Sequence, residues 1–152
     1  MKKGIKLAIL LAALLCLFPA LAHAQCTVSA TAVSFGSYNP MGTSAVNSTG
    51  TITVSCTAHL NVTVSIGASP NSGGFSPRKM KLATGADLMS YNLYTTSGYT
   101  TIWGDGTQGT QTVSNSVKKG SPWNQTVYAQ APASQDISVG SYSETLVVTI
   151  TF

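Results

Sequence analysis

Charge is what this sequence has least of. Eight Lys and Arg and four Asp and Glu occur in 152 residues, with two histidines and three cysteines. A hydrolytic triad or a zinc site needs several converging His, Cys or carboxylate groups. His23 falls in a segment expected to be removed, and His59, in T-A-H-L-N between two strands, reads as a turn residue. The acids, Asp87, Asp105, Asp136 and Glu144, stand singly. Two carboxylates far apart in sequence can still meet for glycoside hydrolysis. Yet Asp105 in W-G-D-G and Asp136 in Q-D-I read as turn residues, and Glu144 lies at the entry of a strand, where its carboxylate is expected to reach solvent. The sequence argues against an enzyme and calls for no cofactor and no metal.

A run of apolar residues long enough to cross a bilayer is also missing. Lys2, Lys3 and Lys6 precede an apolar stretch from Leu7 to Phe18, and Ala22-His23-Ala24 is a small-x-small cleavage site. That is the order of an export signal, and its apolar part is short of the roughly twenty residues of a span. Residues 1–24 are therefore expected to be cleaved, leaving 25–152 as one domain with no transmembrane segment. The signal removes three of the eight basic residues, leaving Arg78, Lys79, Lys81, Lys118 and Lys119 against the four acids. So small an excess makes no nucleic-acid surface. Cys16 leaves too, and the remaining pair, Cys26 and Cys56, reads as one disulfide in an exported chain. Closing a loop of that length is worth about 3.5 kcal/mol by chain entropy.

Helical periodicity is the third absence. In its place, short alternating runs rich in Thr, Val and Ser recur between turn residues, the pattern of an all-β sandwich of about seven or eight strands. The first run is Cys26 to Phe35, with Cys26, Val28, Ala30 and Ala32 on one face and Val33 and Phe35 in the opposite parity, which predicts a bulge or a change of sheet. Thr51–Thr57 places Ile52, Val54 and Cys56 inward, and Asn61–Ile66 repeats the pattern. Lys79–Leu82, Leu88–Tyr94 and Asn124–Gln130 are further strands, while Thr107–Ser121 is polar and gives no clear element. The strongest strand is the last, Tyr142 to Phe152. Leu146, Val148, Ile150 and Phe152 share one face and no hairpin partner follows. Tyr91, Tyr94 and Trp103 read as packing residues. Trp123, in the polar S-P-W-N, is the best candidate for an exposed contact, with Tyr99 and Met41 behind it.

The order of these runs resembles a known family. C-T-V-S-A-T-A-V-S-F-G-S-Y-N-P is similar to the opening of spore coat protein U domains. G-T-I-T-V-S-C, R-K-M, L-M-S-Y-N-L-Y, W-G-D-G and the terminal G-S-Y-S-E-T-L-V-V-T-I-T-F follow in the order expected of that family. The family includes subunits of archaic, Csu-type chaperone–usher pili. The resemblance implies an incomplete immunoglobulin-like sandwich stapled by Cys26–Cys56. Its missing strand is supplied first by a periplasmic chaperone and then by a neighbouring pilin subunit, with an outer-membrane usher assembling the fibre. Leu146, Val148, Ile150 and Phe152 would line the acceptor groove, and the product would pass through the periplasm to the cell surface. Polymerising subunits of this type carry an alternating extension before the first cysteine. Here cleavage after Ala24 leaves only Gln25, so the expectation is a minor or tip-proximal subunit that accepts a strand without donating one. The alternative is a stand-alone secreted surface-coat or lectin-like binding protein.

Overall fold

Residues 25–152 are described in a computed structural model. Nine strands form in chain order: β1 (Cys26–Thr31), β2 (Val46–Cys56), β3 (Leu60–Ile66), β4 (Arg78–Leu82), β5 (Leu88–Tyr94), β6 (Val113–Val117), β7 (Trp123–Ala131), β8 (Tyr142–Ser143) and β9 (Val148–Thr151). They make a six-stranded sheet in the order β1-β2-β7-β5-β4-β8 and a three-stranded sheet in the order β6-β3-β9.

Alternation dictates the core. Ile52, Val54 and Cys56 of β2, Met89, Tyr91 and Leu93 of β5, and Val127, Ala129 and Ala131 of β7 all point inward from the large sheet. Val62, Val64 and Ile66 of β3 meet them from the small sheet, each 2% exposed or less. Trp103 is fully buried between the layers. Its backbone N–H donates to Leu93 O at 2.9 Å and its indole N–H to Val64 O at 3.1 Å. One residue thus bonds both sheets, and satisfying the indole N–H is what allows so large a ring to be buried. Gly104 follows it because Thr110 packs against the backbone there, and any Cβ would overlap the Thr110 side chain.

Three sequence expectations change. β1 ends at Thr31, not Phe35, and it is the edge strand of its sheet. Val28 and Ala30 stand opposite the inward Val54 and Ile52 and share their face, but at the sheet edge Val28 stays 37% exposed, whereas Val33 and Phe35 pack on the core. The expected change of parity is where the chain leaves the sheet. The terminal run is not one strand but two, broken at residues 144–147. The polar span 107–121 contains a strand, β6, in which only Val113 and Val117 turn from solvent. As an edge strand it needs apolar residues only at its ends, which removes the alternation by which it would be recognised.

The disulfide forms as expected. β1 and β2 are antiparallel with Cys26 opposite Cys56, and their Cα atoms lie 4.1 Å apart. Gln25 is tied down just before it, since Thr57 N donates to Gln25 O at 2.9 Å.

Candidate functional site, the uncovered terminal strand

β8 and β9 belong to different sheets. β8 pairs with β4 through Lys81–Ser143 and Leu82–Tyr142. β9 pairs with β3 through Ile66–Val148 and Val64–Ile150. The last eleven residues therefore cross the sandwich at 144–147, and among the described residues β9 is paired along one edge only. The inward residues of β9 and its flanks are incompletely covered: Leu146, Val148 and Ile150 are half-buried and Phe152 is 53% exposed. All but Phe152 pack in part against the core, so the face singled out in the sequence is an apolar face left half open.

A cleft of about 480 Å³ opens elsewhere on the sandwich, between residues 33–38 and 137–142 above Met80 and Met89. None of the four β9-face residues contributes to its walls. Its first wall begins where the chain leaves β1: Phe35 packs edge-to-face on Tyr91 at 5.9 Å, and Gly36 turns with a φ of +64°, a conformation that glycine adopts at no steric cost. This gives the F-G pair its role. The Tyr38 hydroxyl then donates to Pro132 O at 2.6 Å, and the Gln135 amide bonds both backbone groups of Ser90, at 2.7 and 2.9 Å, as a strand partner would. Val33, Phe35, Ile137 and Tyr142 in these walls were not read from the sequence as site residues.

The crossing segment is anchored by an arrangement the sequence analysis also missed. Glu144 does not project freely into solvent. It is half-buried and accepts hydrogen bonds from Ser69 Oγ, from Asn71 Nδ2 at 3.2 Å and from the Tyr91 hydroxyl at 2.6 Å. Burial and the bond to Glu144 push the Tyr91 phenol well above its ordinary range, which keeps it protonated and donating. Nearby, Arg78 is wholly buried and donates to backbone carbonyls: Trp103 O at 2.7 Å, Gly67 O at 3.2 Å, and Phe75 O and Ile66 O at 3.5 Å. Desolvation lowers its pKa, and the fields of Tyr91 and Glu144 partly restore it. Its Nε has no partner among the described residues. A buried cation bonded to four carbonyls holds the 66–75 segment, Trp103 and β4 in one geometry, and Glu144 ties the terminal run to that same unit.

The other singled-out residues scatter. Trp123 is a correction: it is the first residue of β7, opposite Val54, half-buried against the core and not an exposed loop residue. Its polar neighbours suggested exposure, but strand register turns the ring inward. Tyr99 lies in the loop after β5, with its ring edge-to-face on Tyr94 and Tyr128. Met41 is 87% exposed. His59 sits in the β2–β3 turn, Nε2 2.7 Å from Ser116 Oγ, and Asp105 accepts from Thr107 N at 2.9 Å in its own turn. No cluster of three His, Cys, Asp or Glu forms among the described residues. The expected signal at 1–24 lies outside the described residues.

A family model described as the Spore Coat Protein U domain matches residues 11–149. "Protein U" of Myxococcus xanthus is 31% identical over 133 residues, spanning 79% of this chain and 71% of that protein. A similar solved structure is the chaperone–tip adhesion subunit pre-assembly complex from the archaic chaperone-usher Csu pili of Acinetobacter baumannii. The match has a TM-score of 0.57 and 22% identity, and it covers 86% of this chain but only 40% of the matched chain. That likeness is one of fold.

Proposed function

Because the chain belongs to the Spore Coat Protein U domain family, we propose that it is a structural or adhesive subunit of an archaic chaperone–usher pilus, completed by a strand from another chain laid along β9. The observation that carries this reading is the half-open apolar face of β9, an edge strand whose second side pairs with no other described residue. Fully burying an aliphatic or aromatic side chain is worth roughly 1.5–3 kcal/mol. Covering Leu146, Val148, Ile150 and Phe152 would recover part of that at each position, and the same strand would satisfy the free edge of the backbone. The natural donors are a periplasmic chaperone first and a neighbouring subunit afterwards, with an outer-membrane usher exporting the product to the cell surface.

The test is periplasmic expression with and without co-expression of a periplasmic chaperone of the archaic chaperone–usher type. The subunit should accumulate only as a chaperone complex. Phe152→Asp, at a position already largely exposed, should weaken capture without preventing folding, and Ile150→Asp should abolish it. A chaperone-free, monomeric, stably folded product would overturn this reading in favour of a stand-alone surface-coat protein. A minor or tip-proximal place, receiving a strand and donating none, is the finer form of the proposal and depends on processing at Ala24. Sequencing of the mature N-terminus decides it: Gln25 as first residue supports the finer form, and a start that keeps the 7–18 apolar stretch removes it.

A further inference from the structure

The outer face of the six-stranded sheet carries an arrangement that strand acceptance does not use. In the register of β2, β7 and β5, Thr49 stands beside Tyr128 and Tyr128 beside Tyr94. In the next row on the same face, Asn47 stands beside Gln130 and Gln130 beside Asn92, with Gln130 Nε2 donating to Asn47 Oδ1 at 2.9 Å. Tyr99 joins the first row from the loop after β5. Its ring meets Tyr94 at 5.5 Å and Tyr128 at 6.5 Å, perpendicular to both. It does so from a backbone φ of 53°, which is unfavourable for a bulky side chain and is held against that preference by the aromatic contacts.

The hydroxyls of this cluster set it apart. Tyr38, Tyr91 and Tyr142 each spend their phenol O–H on an acceptor within the protein, at 2.6, 2.6 and 2.9 Å. The phenols of Tyr94, Tyr99 and Tyr128 bond no other described residue, and all three rings are half-buried. Neither row contains a charged side chain.

We propose that this face is a binding platform for an uncharged oligosaccharide. A sugar ring offers C–H groups on its faces, which pack on aromatic side chains. Its hydroxyls are paired donors and acceptors, which match side-chain amides and phenols. Residues two apart on a strand are separated by roughly 7 Å, so a ring resting on the tyrosine row brings its hydroxyls to the amide row. The absence of Lys and Arg from both rows disfavours a nucleic acid or an anionic lipid, whose affinity comes largely from phosphate contacts. The hydrogen-bonding surroundings disfavour a dry protein interface, which has an apolar centre. β9 lies in the other sheet, so the platform holds whether or not this chain accepts a strand.

The experiment titrates cellohexaose, laminarihexaose and chitohexaose separately into the purified mature protein, alone or in its chaperone complex, and follows amide NMR signals. At least one sugar should give saturable shifts at Tyr94, Tyr99, Tyr128 and the side-chain amides of Asn47, Asn92 and Gln130. Tyr99→Gly, which removes the ring and suits the local φ, and Gln130→Ala should each weaken binding about tenfold or more while leaving the rest of the spectrum in place. No saturable binding of any of these sugars up to about 10 mM, undiminished binding by both variants, or shifts confined to the 33–38 and 137–142 cleft would each overturn the proposal. Concentration-dependent shifts of the same residues without sugar would reassign the face to a second copy of the chain.

Discussion

β3 and β9 are neighbours in one sheet and read almost alike, V-T-V-S-I against V-T-I-T-F, yet the sandwich treats them differently. β3 is paired on both sides, by β6 and β9, and its inward residues Val62, Val64 and Ile66 are sealed. β9 is paired on one side, and its inward residues are half-covered. Burial here depends on what stands next to a strand, not on the strand's own alternation. The difference separates a sealed strand from an open one: β3 contributes to holding the isolated chain together, and β9 leaves apolar surface uncovered.

The sealed side should be the most sensitive. Trp103→Ala removes a fully buried ring and the bond to Val64 O, and a loss of about 3–5 kcal/mol is expected in denaturant unfolding. That loss should be the same with and without a bound partner strand. Ile66→Ala and Ile150→Ala compare the two strands with the same residue type. The first should lose about 2–5 kcal/mol, and the second clearly less in the isolated chain. Measured on a strand-complemented complex, the Ile150→Ala loss should rise toward that of Ile66→Ala. Equal losses in the isolated chain would break the comparison.

Tyr91→Phe tests the anchor behind β9. It removes one of the donors to the Glu144 carboxylate and is expected to lower stability by about 1–3 kcal/mol. Tyr99→Phe, whose hydroxyl bonds no other described residue, should change stability by less than about 0.5 kcal/mol.

The smallest effect is a pH effect. Hydrogen bonds from the side chain and backbone of Ser138 hold the Asp87 carboxyl below its ordinary pKa. A carboxyl lowered in the folded state stabilises above its unfolded pKa, and the contribution is lost as pH falls through the folded value. Asp87 lies at the surface and is only half-buried, so the expected signature is only a slight loss of thermal stability below about pH 4, absent in Asp87→Asn. It should be read most sensitively at the 137–142 wall of the cleft.

The fold class was legible because alternation is a local signal. Ile52, Val54 and Cys56, or Met89, Tyr91 and Leu93, declare an inward face within a few residues, and the disulfide followed from counting the cysteines left after the signal. What escaped shares one property: its meaning lies in partners distant in sequence. Glu144 is bonded to Ser69, Asn71 and Tyr91, fifty or more positions away. The wholly buried Arg78 is bonded to carbonyls from four other residues, a combination no spacing rule announces. Trp123 was misplaced because its neighbours are polar while its β-bridge partner, Val54, is not. The Tyr94–Tyr99–Tyr128 cluster was half visible, since Tyr99 stood out as a loop aromatic, but its neighbours came from sheet register.

By itself, the sequence determined that this is an all-β, disulfide-stapled chain ending on an apolar-faced strand, because the period of side chains along a strand is a property of local geometry. Only the tertiary structure decided that the terminal run crosses between sheets at 144–147, that Glu144 and Arg78 underpin the crossing, and that β9 rather than β3 is left half open. Those outcomes are set by which strands become neighbours, and adjacency in a sandwich is fixed by the packing of the whole chain.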